Sequence, residues 1–333
     1  MELINYAMRR ILYTILPLVL CTACWWIEPI DDPYPDSEQS AEYKSKLFYT
    51  TTDGESITPK NLQSFGIDIL DMSYENGQGV ITFDGIARRI GNGAFKDCDN
   101  LKSITLPDSI RVVGIGAFEN CINLEEVNLP DSLIGIQREA FAWCTKLSEM
   151  TIPRRVEVVE GSAFIKCTEL RAFKGSHASK DGRTLIIDGS VVAFASAGVE
   201  EYNIPEEATA VADESFMACE NLRRVVISDN VTTIGNSAFA WCYGLEEVTL
   251  GKGIVDIGAE AFRDCLALNG IYIETPTPPS IMISSFSSFN YEEYCYDFLG
   301  CDIFVPEGAV EAYNSAEVWS NYAPYTKVNH ALQ

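Results

Sequence analysis

Residues 101–121 read Leu101-Lys-Ser-Ile104-Thr-Leu106-Pro107-Asp-Ser-Ile110-Arg-Val-Val113-Gly114-Ile-Gly-Ala117-Phe118-Glu-Asn-Cys121. The Phe of this phrase recurs at Phe95, Phe118, Phe141 and Phe164, each 23 residues after the last. It resumes with the same spacing at Phe216, Phe239 and Phe262. Three residues after each Phe stands a Cys: Cys98, Cys121, Cys144, Cys167, Cys219, Cys242 and Cys265. A fixed period of this length is the signature of a solenoid, with one coil per repeat.

The physical logic of a coil is legible in the phrase. Ile104 and Leu106 share one face of a strand, and Ser103 and Thr105 point the other way. Pro107 has no amide hydrogen to donate, so it ends the strand. Ile110 and Val113 form a second apolar pair, and Gly114 permits another turn. The spacing of Ala117, Phe118 and Cys121 predicts a single helical turn that packs Phe and Cys inward. No coil can bury its apolar face alone, so coils stack and their strands pair in parallel.

The strand-centre position occurs ten times, at Ile81, Ile104, Val127, Met150, Phe173, Tyr202, Val225, Val248, Ile271 and Ile303. At about 4.8 Å between strands, such a stack is about 45 Å long. The expected fold class is therefore a repeat solenoid, α/β but mainly β. It has about ten coils, parallel strands, short helical turns and a cap at each end.

The phrase resembles the leucine-rich repeats of the BspA-like bacterial surface proteins, over residues 80–325. Seven Ala/Ser-Phe-x-x-Cys units in register carry the resemblance. It implies a right-handed, curved solenoid. It also implies a non-catalytic surface protein, because the best-described members are adhesins that bind host extracellular proteins.

The 333 residues are 47% apolar and carry a net charge of −24, which becomes −25 if residues 1–23 are removed. Such a surface repels nucleic acid and anionic lipid and suits a basic or neutral partner. Eleven cysteines suggest disulfides in an exported chain. Seven of them hold one repeat position, where parallel side chains favour a ladder of buried thiols over bridges. Cys295 and Cys301 lie outside that ladder and are the one candidate disulfide.

Residues 1–23 read as an export signal, with Arg9-Arg10 before the apolar run 11–20; Met8 is an alternative start. The sequence Leu20-Cys-Thr-Ala-Cys24 resembles a bacterial lipobox, with Cys24 as the lipidated residue. It departs from that pattern at Cys21, where Leu is usual. Residues 24–40 are rich in Pro and acid and read as an extended tether. Acidic residues after the lipidated Cys resemble a signal that sends lipoproteins to the outer face of the outer membrane in some Gram-negative groups. The membrane is then met only through the lipid.

Residues 41–79 read as an N-terminal β cap, with Asp53-Gly54 as a hairpin turn after the β-rich run 46–52. The solenoid spans 80–274. It is interrupted at 176–198, where two β-rich runs flank Asp188-Gly189 and predict an inserted hairpin, either a spacer or a partner-binding element. Residues 275–333 read as an irregular coil and a cap, helical over 307–319.

Chemistry is sparse. The two histidines, His177 and His330, lie far apart, and no cluster has metal-ligand spacing. No phosphate loop or nucleophile elbow is present. The sequence therefore predicts no enzyme, metal or cofactor. The outward strand positions carry no core duty. They form one row of Glu126, Glu149, Glu201, Arg224 and Glu247, and a second of Asn128, Thr151, Asn203, Thr249 and Tyr272. Arg224 is expected between Glu201 and Glu247 as a cross-strand partner. The rows read either as a solvated sheet face or as a binding surface for a basic or hydroxyl-rich partner. Trp143 and Trp241 share the position before the ladder Cys. They pack on a neighbouring coil, or they stand exposed as a sugar or protein platform.

Three functions follow. The first is adhesion to a host or extracellular-matrix protein through the long face. The second is glycan capture, and the third a structural envelope role without a ligand.

Overall fold

In a computed structural model, residues 45–290 and 295–329 are described. The export signal, Cys24, the tether and His330 lie outside them. Among the described residues no helix is long and apolar enough to cross a membrane.

Each regular coil has three runs. The first is a strand whose centre points into the core: Leu101–Thr105, Glu126–Asn128, Glu149–Thr151, Ala172–Lys174, then Glu201–Asn203, Arg224–Ile227, Glu247–Leu250 and Gly270–Ile273. These pair in parallel with the register of the repeat, as in Val225↔Val248 and Val248↔Ile271. The second run is a two-residue strand, such as Val112–Val113, that makes its own parallel ladder. The third run carries Phe and Cys.

That third run is not the helical turn expected from its spacing. It is a ribbon of consecutive turns. Two residues per coil have left-handed backbone, at Gly93 and Asp97, Gly116 and Asn120, and Glu139 and Trp143. A left-handed residue every fourth position stops helix propagation. Alternate amides bond within the ribbon, as Cys98 N–H does to the Phe95 carbonyl; the others reach the next coil, as Phe95 N–H does to the Ala117 carbonyl at 2.8 Å. The spacing gave the buried pair correctly, because turns and helix both place i and i+3 together.

Inside, the Phe rings stack. Phe95–Phe118 and Phe118–Phe141 have centroids 5.2 Å apart and nearly parallel rings. Stacked rings gain about 0.5–1.5 kcal/mol per pair beyond their burial. The insertion is the antiparallel hairpin Thr184–Ile187 and Ser190–Phe194, turned by Asp188 and Gly189 at φ 48° and 78°. Its second strand joins the two-residue ladder through Val191↔Val211. Phe194 takes the ribbon ring's place in the stack, 4.6 Å from Phe216. The hairpin also divides the core. Leu185 and Ala195 pack with the coils before it, and Val191 and Phe194 with the coils after.

The N-terminal cap is arranged differently from the expectation. Lys46–Thr51 does not turn back at Asp53-Gly54. It lies antiparallel between Gln78–Phe83 and Leu101–Thr105. The strand of Ile81 is thus part of an antiparallel cap, hairpinned to Ile69–Glu75 at Asn76-Gly77. A cap of reversed strands ends the parallel ladder and covers its edge. At the other end, Val310–Ser315 is a short helix and Trp319–Tyr325 a 3-10 segment. A further strand, Thr326–Val328, pairs in parallel with Asp302–Val305. Trp319 closes the ring stack against Phe286 and donates to the Pro279 carbonyl at 2.7 Å.

Cys301 is a free, buried thiol, so the bridge to Cys295 is not made. Cys301 lies in the core that continues the thiol ladder. Cys295 belongs to the separate hairpin Ser287–Asn290 and Cys295–Phe298.

Candidate functional site

The outward strand face is built by the alternation of each strand. Its first row runs Ser103 and Glu126, Glu149 and Ala172, then Glu201, Arg224, Glu247, Gly270 and Asp302. The second runs Thr105 and Asn128, Thr151 and Lys174, then Asn203, Val226, Thr249, Tyr272, Phe304 and Lys327. Strand pairing is not continuous along it: Glu126–Asn128 and Glu149–Thr151 fall in separate sheets, and so do Ala172–Lys174 and Glu201–Asn203, on either side of the hairpin.

The acidic row is largely compensated by its neighbours. Arg224 reaches Glu201 and Glu247, both at 3.1 Å. Lys174 pairs with Glu149 and Lys327 with Asp302, each at 2.5 Å. Asn128 donates to Glu126 at 3.1 Å. The face is therefore polar and close to balanced, and most of the chain's acidic excess lies elsewhere. Exposed pairs of this kind each add about 0–1 kcal/mol.

Aromatic residues break the polar pattern at one end. Tyr272 stacks on Phe304 with centroids 4.7 Å apart and planes within 7°. Gly270 makes room: a Cβ there would lie 2.9 Å from the Tyr272 ring. Phe304 escaped the sequence reading, which took residues 303–305 only for their inward side chains. The alternation itself carried the signal.

On the ribbon side, Trp143 has left-handed backbone and is 48% exposed, with the Lys166 ammonium 5.7 Å above its ring. Trp241 is half-buried, with the Arg263 guanidinium 5.9 Å from its ring. The ladder thiols face the opposite way. Cys121, Cys144, Cys167, Cys242 and Cys265 each donate to the Phe carbonyl one coil back, at 3.1–3.2 Å. Burial pushes the thiols up, Cys98 to about 11 and Cys167 to about 12. A thiol held protonated is a poor nucleophile and a poor metal ligand. Among the described residues no group of His, Cys, Asp and Glu could hold a metal ion.

The sequence profile of the BspA type leucine rich repeat region matches residues 75–181 and 190–296, in six copies. That is more than half of the chain. The chain belongs to the BspA-type leucine-rich-repeat family. No curated protein matches it. Among solved structures, a leucine rich cell surface protein from Faecalibacterium prausnitzii is similar at 23% identity, covering 68% of this chain and 65% of that one, with a TM-score of 0.48. The pneumococcal vaccine antigen PcpA is 18% identical, covering 68% and 66%, with a TM-score of 0.44. A leucine-rich repeat protein from Eubacterium ventriosum is 18% identical, covering 66% and 63%, with a TM-score of 0.45. The BspA-type chain described here thus spans just under two thirds of the length of these three.

Proposed function

We propose that this chain is a non-catalytic binding protein shown on the outside of a bacterial cell, and that it adheres to a host or extracellular-matrix protein. The observation that carries this reading is the strand face. Its outward residues are free of core duty, and they end in the half-buried Tyr272–Phe304 stack. Aromatic anchors within a polar surround are the usual makings of a protein contact. The adhesive role itself is carried over from the family. Glu126, Asn128, Glu149, Thr151, Glu201, Asn203, Arg224, Glu247, Thr249 and Tyr272 are the contact residues, and Phe304 joins them. Lipidation at Cys24 would tether the solenoid to the outer membrane of a Gram-negative cell. Many copies on one surface then convert weak contacts into avidity.

A second reading is favoured by Trp143, half exposed beside Lys166: a glycan platform on the ribbon side. A purely structural envelope role requires a featureless polar face, and the aromatic pair argues against it.

The test is a binding screen of the protein that starts after Cys24, against immobilised matrix proteins and a glycan array. Adhesion predicts matrix binding that Glu126→Lys, Glu149→Lys and Glu247→Lys together weaken. Glycan binding lost in Trp143→Ala would replace that reading, and silence on both supports would refute the two.

A further inference from the structure

The ribbon is closed at its regular joins by bonds between consecutive coils. Phe118 N–H reaches the Ala140 carbonyl at 2.8 Å, and Phe141 and Trp143 reach those of Ala163 and Ile165 at 2.9 Å. The pattern returns beyond the hairpin, with Phe216 to Ala238 and Ala218 to Ala240, both at 2.8 Å. Between the two series one ribbon is missing, because the coil that carries the hairpin has none. The amides of Phe164 and Lys166 consequently meet no acceptor among the described residues. Across the gap, the carbonyls of Ser215 and Met217 receive no donor from them.

The gap is a slot with defined ends. At one end its walls touch, since a Cβ on Gly161 would lie 2.7 Å from the Asp213 carbonyl. There Arg138 reaches across to Glu214 at 3.0 Å. At the mouth Lys166 reaches Glu220 at 2.5 Å. Val192, Ala193 and Phe194 line the slot between them. The enclosed space is about 60 Å³, so the walls must part before a guest can enter.

We infer that this slot binds a peptide segment of another protein in the turned backbone of the missing ribbon. One wall offers alternate amide donors and the other alternate carbonyl acceptors. A chain in the ribbon conformation presents the complementary rows, alternate carbonyls on one edge and alternate amides on the other, and so can add to both walls by main-chain bonds. The molecule's own ribbons show the fit, since each fills the same place between its neighbours. Phe194 already occupies the ring position, so the guest needs small side chains toward it. The Lys166–Glu220 pair bars the mouth and opens to admit the guest. This inference is independent of the strand-face reading, because it concerns another side of the coil.

The test uses the full chain and hydrogen exchange. In the free protein the amides of Phe164 and Lys166 should exchange at least tenfold faster than those of Phe141 and Trp143. Peptides are then selected from a phage-displayed random dodecapeptide library and synthesised. Selected peptides should protect the Phe164 and Lys166 amides, and backbone N-methylation of the peptide should weaken binding at least tenfold. Thr168→Trp, at the exposed lip, should weaken it likewise. The inference is overturned if those two amides are already slow in the free protein. It also fails if no selected peptide protects them, or if N-methylation leaves affinity unchanged. Protection that instead grows with protein concentration, alongside a dimer in sedimentation, would give the slot to a second copy and equally overturn it.

Discussion

The Cys121 thiol donates to the Phe95 carbonyl, one coil back, at 3.1 Å. The relationship recurs from Cys144 to Phe118 at 3.2 Å. The repeat position that looked like a small apolar filler is thus also a donor between coils. Its two members come from different repeats, so each coil is fastened to the last at a fixed register. The Phe118 carbonyl also accepts the Cys121 amide, so losing the thiol does not orphan it. Cys144→Ala should therefore cost about 1–2 kcal/mol, mostly through lost packing. Thermal unfolding should show a loss of a few degrees.

Alkali should loosen the core in a definite window. A free thiol ionises near 9.0, and burial raises Cys98 to about 11 and Cys167 and Cys301 to about 12. Below pH 9 both folded and unfolded thiols are protonated, and stability does not depend on them. Above it the unfolded chain loses protons that the folded chain keeps, so stability falls until the folded thiols ionise as well. Each such thiol removes at most about 1.4 kcal/mol per pH unit. Tm should drop from about pH 9 up to about pH 11 to 12, and less steeply in Cys144→Ala. Equal slopes would show that the ladder does not set the alkaline limit.

The left-handed ribbon residues are a reserve of stability. Glu139 holds φ 57° where Gly116 holds φ 56° and Gly93 φ 59°. A non-glycine residue there costs about 1–2 kcal/mol, partly offset by the greater freedom of an unfolded glycine. Glu139→Gly should raise Tm by a degree or two, and Gly116→Ala should lower it. Differential scanning calorimetry on the two variants reads the sign directly.

Arg224 ties two exposed carboxylates together, yet its loss should change stability by less than about 1 kcal/mol. Its effect on binding should be larger. Arg224→Ala leaves Glu201 and Glu247 uncompensated on the face. A basic partner that docks there should associate faster at low salt, and the gain should vanish at high salt. A slower association would mean that Arg224 itself contacts the partner.

The sequence made the solenoid legible because burial is strict at one position per run. Phe118 and Cys121 have no exposed alternative, and their period of 23 is set by the length of a coil. The hairpin at Asp188-Gly189 was equally plain, since that pair is built for left-handed backbone. The ribbon was not, because Asp97, Asn120 and Trp143 share a backbone angle without sharing a side chain. The place of Lys46–Thr51 was hidden for another reason: its partners, Val80 and Thr105 among them, are distant in sequence. Rows such as Glu201, Arg224 and Glu247 could be aligned from the period. Their compensation by Lys174 and Lys327 depends on side-chain reach, which the period does not carry.

The most direct test of the adhesive reading is surface plasmon resonance of the protein that starts after Cys24 on immobilised extracellular-matrix proteins. Wild type would be compared with Tyr272→Ala/Phe304→Ala, after confirming that both melt alike. The strand-face account predicts binding by the wild type and at least a tenfold weaker affinity in the double variant. Equal affinity, or no binding by the wild type to any matrix protein, would contradict it.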